Sequence, residues 1–228
     1  MNMTLASWQR LWGELGARET SGGLLNQLMA AYSEPQRRYH TLQHLRECLA
    51  HFEAAASLAR RPAEVELALW FHDAVYDPQR GDNEERSADW AQASLLAAGC
   101  AEAHAERVAA LVMVTKTHEP AGPPQGRIPE GAARRLSSDA PADDPDAALL
   151  LDIDLAILAA SPARFDEYER QIRAEYVHVP EADFRARRAE ILSGFLARER
   201  IYRTPVFHDA LEARARQNLT RAVARSSP

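Results

Sequence analysis

Cysteine is scarce, lysine nearly absent and a basic excess missing from this 228-residue chain. Its two cysteines, Cys48 and Cys100, stand far apart with no CxxC spacing. That removes both a disulfide framework and a zinc–thiolate knuckle. The formal net charge of -6 has the wrong sign for the basic footprint that long nucleic acids require. It leaves room for a small phosphorylated ligand held by a few local arginines. Long hydrophobic runs are also lacking. The greasiest stretch, 147–160, is broken by Asp152 and Asp154 and is too short to span a bilayer. Met1-Asn2-Met3-Thr4 does not read as the start of a signal peptide, so a soluble, cytoplasmic protein with no membrane partner is expected. There is no glycine-rich phosphate loop. No stretch alternates with period two, so no strands are expected.

What the chain does have is helical spacing and 46% hydrophobic residues, enough to bury one substantial core. Trp8, Leu11, Trp12 and Leu15 recur at three and four residues, as do Leu42, Leu45, Leu49 and Phe52, with Thr41 placed to cap the latter helix. Pro62 suits the first turn of the next helix. Further helices are expected at about 85–98, 101–117, 146–160, 162–176, 181–200 and 205–223. Residues 119–131 hold four prolines and three glycines, and 137–145 are rich in Ser, Asp and Pro. With candidate ligands on both sides, 119–145 reads as a loop-rich insertion in one domain spanning 1–228. Residues 224–228 read as a frayed tail.

The chemistry starts with His72-Asp73, which closes the apolar run from Val65 to Phe71 at the edge of a core. Asp154 is the second anomaly. Its helical neighbours Leu150, Leu151, Ile157 and Leu158 are all apolar, so the carboxylate falls on a core-facing stripe. A carboxylate there must be paired, protonated or bound to a cation, and pairing with an arginine or capping a helix competes with ligation. Asp152 points elsewhere and is the weaker candidate. His40 stands where a helix begins, with His44 one turn on and on the same side.

The order His … His-Asp … Asp on successive helices resembles the HD superfamily of metal-dependent phosphohydrolases. The phrases YHTLQH, ALWFHDAVYDP, DNEERSA and LDIDLAIL resemble a bacterial subgroup of it, over about 39–219. The resemblance implies an all-α, HD-type helical bundle with additional C-terminal helices. It also implies one divalent cation bound by His40, His72, Asp73 and Asp154. Two imidazoles favour a transition ion (Mn, Fe, Co, Ni or Zn), with Mg less suited. The implied reaction is hydrolysis of a phosphate ester or anhydride, of a nucleotide or related small metabolite, by metal-activated water.

Supporting roles follow with their rivals. Asp77 is the candidate base, against a turn role before Pro78. Glu84 is a supporting acid, against a first-turn charge complementing the helix dipole. Lys116, the lone lysine, is a candidate to neutralise phosphoryl charge, against a role at a helix C-terminus. Arg38, His44, His118 and Arg203 are candidate substrate contacts. Two other functions stay open: a di-iron HD-type oxygenase, and a non-catalytic nucleotide-sensing module. A homo-oligomer is compatible with all of these.

Overall fold

The computed structural model describes residues 3–18, 22–116 and 144–226. The described residues are all helical, with no strand among them. No described helix is long and apolar enough to cross a membrane. The expected insertion at 119–145 falls outside the described residues except for Asp144 and Pro145, and His118 falls outside them too.

Helix α1 (Leu5–Glu14) starts at a capping box, with the Thr4 hydroxyl accepting from the Ser7 amide and the Ser7 hydroxyl accepting from the Thr4 amide. Its stripe buries Trp8, Leu11 and Trp12, and the Trp8 ring meets Trp70 edge-on at 5.1 Å between centroids. Helix α2 (Gly22–Ala31) follows, then α3 (Leu42–Ala55), capped as expected by Thr41, whose side chain accepts from the Gln43 amide. Helix α4 (Pro62–Phe71) has proline in its first turn and buries every residue from Glu64 to Phe71. A helix buried all round is a central one. α4 packs against α1, α3, α5 (Asn83–Ala97), α6 (Glu102–Val114) and α7 (Pro145–Asp154). Gly99, at φ +79°, closes α5 in the left-handed conformation that glycine adopts without strain.

The helix expected across 146–160 is split. The α-helical part of α7 ends at Asp154, and a 3-10 segment covers Leu155–Ala159. Beyond it lie α8 (Pro162–Glu175), α9 (Glu181–Ala197) and α10 (Pro205–Ser226). α10 packs on α9 and on the 3-10 segment. The tail expected to fray from 224 is instead helical to Ser226.

Asp152, the weaker metal candidate, is fully buried and has a structural task. Its carboxylate accepts from the Arg203 amide (2.8 Å), the Thr204 amide (2.7 Å) and the Thr204 hydroxyl (2.6 Å), fixing the approach to α10. Removing a buried acceptor strands those donors. Asp152→Ala should therefore lower stability by about 2–3 kcal/mol. The check is a urea midpoint that falls with an unchanged denaturant slope.

Candidate metal centre

Three helix ends converge on one point. His44 comes from the first turn of α3, His72 and Asp73 from the end of α4, and Asp154 from the end of α7. The His44 Nε2 lies 3.1 Å from His72 Nε2, 3.2 Å from Asp154 Oδ1 and 3.4 Å from Asp73 Oδ2. The His72 Nε2 lies 3.0 Å from Asp73 Oδ2 and 3.6 Å from Asp154 Oδ1. Donor atoms held at ~2.1 Å from a shared cation stand ~3.0 Å apart in octahedral and ~3.4 Å apart in tetrahedral geometry. All five separations fall in or beside that range. Cys48, one turn after His44, brings its sulfur to 3.7 Å from both nitrogens of that ring. The donor atoms of His44, Cys48, His72 and Asp154 all lie within 4.8 Å of one another, and this group could hold a metal ion.

Both rings are aimed by their other nitrogens. His72 Nδ1 donates to the Leu69 carbonyl at 2.8 Å, which leaves Nε2 for the centre. His44 Nδ1 lies 3.0 Å from the Tyr39 hydroxyl. Burial opposes a charge on His44, yet Cys48, Tyr39, Asp154 and Asp73 together raise its pKa well above the ordinary value. Burial likewise opposes a charge on His72, and Asp73, Tyr32 and Asp154 outweigh it. Asp73 is held well below the usual carboxylate range: burial would raise it, but His72, His40 and His44 prevail. A cation entering this site must displace protons from the imidazoles.

His40 does not join them, which corrects the expected quartet. Its Nδ1 is engaged by Glu175 Oε2 at 2.7 Å, and its ring stacks on Tyr76 at 3.9 Å between centroids. His44, expected at the substrate, takes its place among the donors. The reason is register: α3 begins at Leu42, so His44 rides on the helix while His40 lies before its cap. His40 instead lines a cavity of about 600 Å³ together with Asp73, Tyr76, Glu84, Lys116 and Asp154. A smaller cavity of about 180 Å³ touches His44, Cys48 and Asp154.

Several other candidates are engaged elsewhere. Asp77 accepts the Gln79 amide at 2.9 Å, as a turn residue does, and does not line the larger cavity. Lys116 donates to the Gly81 carbonyl at 2.8 Å and pairs with Glu85, which partly neutralises it at the cavity wall. Glu84 lines that wall in the first turn of α5. Arg38 is exposed and donates to the Pro35 and Arg37 carbonyls, lining neither cavity. Arg203 also lines neither cavity. Arg37 is buried and donates to the carbonyls of His40 (3.2 Å), Asp73 (2.6 Å) and Ala74 (2.9 Å).

Glu175 and Cys48 escaped the sequence reading, though both carried a signal. Glu175 follows Tyr168 and Ile172 at helical spacing, an acid on an apolar stripe like Asp154. Cys48 is four residues after His44, on the same face of α3. Comparison with protein-family models, curated proteins and solved structures finds no match for this chain.

Glu175 accepts from the amides of Arg38 (2.8 Å), Tyr39 (2.8 Å) and His40 (3.0 Å) and from the Tyr76 hydroxyl (3.0 Å). Burial would raise its pKa, but His40 and these amides bring it down to about 2. The depression from 4.5 corresponds to roughly 3 kcal/mol of stability. Because the folded value is the lower one, this contribution is present above pH 4.5 and is lost as pH falls through about 2. Glu175→Gln should thus lose about 3 kcal/mol at pH 7. Its gap from the parent should narrow steadily in denaturation curves taken between pH 4.5 and pH 3.

Proposed function

We propose that the protein is a metal-dependent phosphohydrolase of the HD type, acting on a phosphate ester or anhydride of a small molecule. The observation that carries this reading is the set of donor separations, 3.0 to 3.6 Å, among His44, His72, Asp73 and Asp154. Four ionisable groups crowded at that spacing fit a shared divalent cation. Two imidazoles favour Mn, Fe, Co, Ni or Zn over Mg. When bound, such an ion would polarise a phosphoryl oxygen and lower the pKa of a water.

The chain's own residues supply the rest. His40 lines the larger cavity beside Asp73 and Asp154, with Nδ1 fixed on Glu175 and Nε2 as its remaining nitrogen. We assign it as the general acid. The Glu175 carboxylate, 2.7 Å from Nδ1, aims the ring, and Tyr76 packs it flat. Attack by water forms one P–O bond as the bond to the leaving oxygen breaks; the proton that the water sheds goes to solvent, one from His40 goes to the leaving oxygen, and His40 regains its own from solvent before the next turnover. Asp73 and Asp154 hold negative charge at the centre, and the pair Lys116–Glu85 lies at the cavity wall.

The test separates these roles. Asp73→Ala should lose both the bound metal, by elemental analysis, and phosphate release across a panel of phosphate esters. His40→Ala should keep its metal while kcat falls about 10²–10⁴-fold, most for esters with poor leaving groups. Full metal occupancy in Asp73→Ala would remove that carboxylate from the set. Two irons per chain with oxygen uptake would replace the hydrolase by the oxygenase, and metal without turnover would leave a sensing module.

A further inference from the structure

We propose that the larger cavity selects its substrate by an apolar group, and that the site takes phosphate monoesters of bulky, chain-like alcohols. The chemistry at the phosphate rests on the hydrolase reading; the preference for an apolar group rests on the walls. The polar groups lining the cavity include His40, Asp73, Asp154 and Lys116. Its apolar lining is Leu158, Ile172, Val179, Phe184, Ile191 and Phe195, with Arg187 and Arg188 among them. These come from the 3-10 segment, α8, α9 and the turn between those helices. Ile191 is 39% exposed, and Val179, Phe184 and Phe195 are only half-buried, so this wall meets water. At about 600 Å³ the space is that of a ligand site, and an apolar wall converging on a few charges is how such sites are built.

The charges on that wall are spoken for. Arg187 pairs with Glu190 on the outer face of α9. Arg188 is buried against Glu169, with its guanidinium 5.0 Å from the Tyr168 ring centre. No asparagine or glutamine lines the cavity among the described residues, so it offers no side-chain amide to read the edge of a base or the hydroxyls of a sugar. Burying hydrocarbon against that wall strengthens binding by up to about fourfold for each methylene fully removed from water.

A chain-length series tests this, because n-alkyl groups vary in buried area with nearly constant leaving-group chemistry. The probes are n-butylphosphonate, n-octylphosphonate and adenosine monophosphate, titrated calorimetrically into the full chain with Mn²⁺ present. Octylphosphonate should bind at least about tenfold more tightly than butylphosphonate, with the gain shared by octyl over butyl phosphate in kcat/KM. Ile191→Asp, at an exposed position that tolerates a charge, should cut the octyl-to-butyl ratio several-fold. Equal affinity for the two phosphonates, or tighter binding of adenosine monophosphate than of octylphosphonate, overturns the proposal. Graded phosphonate binding with no phosphate released from any ester upholds the apolar selectivity and sinks the hydrolase reading instead.

Discussion

The gathering of two half-buried carboxylates and two buried imidazoles at one point is the constraint round which the rest of the molecule is arranged. Isolated charges withdrawn from water are costly, and each carboxylate here has both imidazoles within 3.6 Å. That mutual dependence fits the sheathing of α4 by five other helices, which holds the end that carries His72 and Asp73. It also explains the break in the segment carrying Asp154. An α-helix continued past that residue would keep the apolar stripe regular, and the 3-10 segment instead turns Leu155, Ile157 and Leu158 toward the cavity wall.

Around this centre, orientation is controlled from outside. Tyr39 and the Leu69 carbonyl set the two ring directions, so the donor nitrogens face inward. Glu175 does the same for His40 from α8, and draws in three successive backbone amides at the start of the α3 segment. The C-terminal half of the chain thus completes the site physically.

How far the sequence revealed all this depended on the kind of signal. Helices announced themselves through spacing and capping: Thr41, Pro62 and the stripe of Trp8, Leu11 and Trp12 lie where the pattern placed them. Asp73, His72 and Asp154 were legible because a polar group on an apolar stripe is anomalous by itself. The choice between His40 and His44 was not. Both lie four residues apart in one phrase, and only the exact cap residue decides which rides on the helix. Glu175 was hidden because its partner lies 135 positions away, a pairing that local periodicity does not carry. Asp77 was read as a candidate base, with the turn role that suits an Asp-Pro step as its equal rival.

Arg37 has a mechanical implication. By gripping the carbonyls of His40, Asp73 and Ala74 with one planar guanidinium, it welds the loop before α3 to the corner after α4. Those two stretches are thereby one rigid unit although Asp73 lies 33 positions after His40 in the chain. Any motion that opens the larger cavity has to come from its other side, helix α9 bearing Phe184 and Ile191, while the floor that holds His40 and Asp73 stays still.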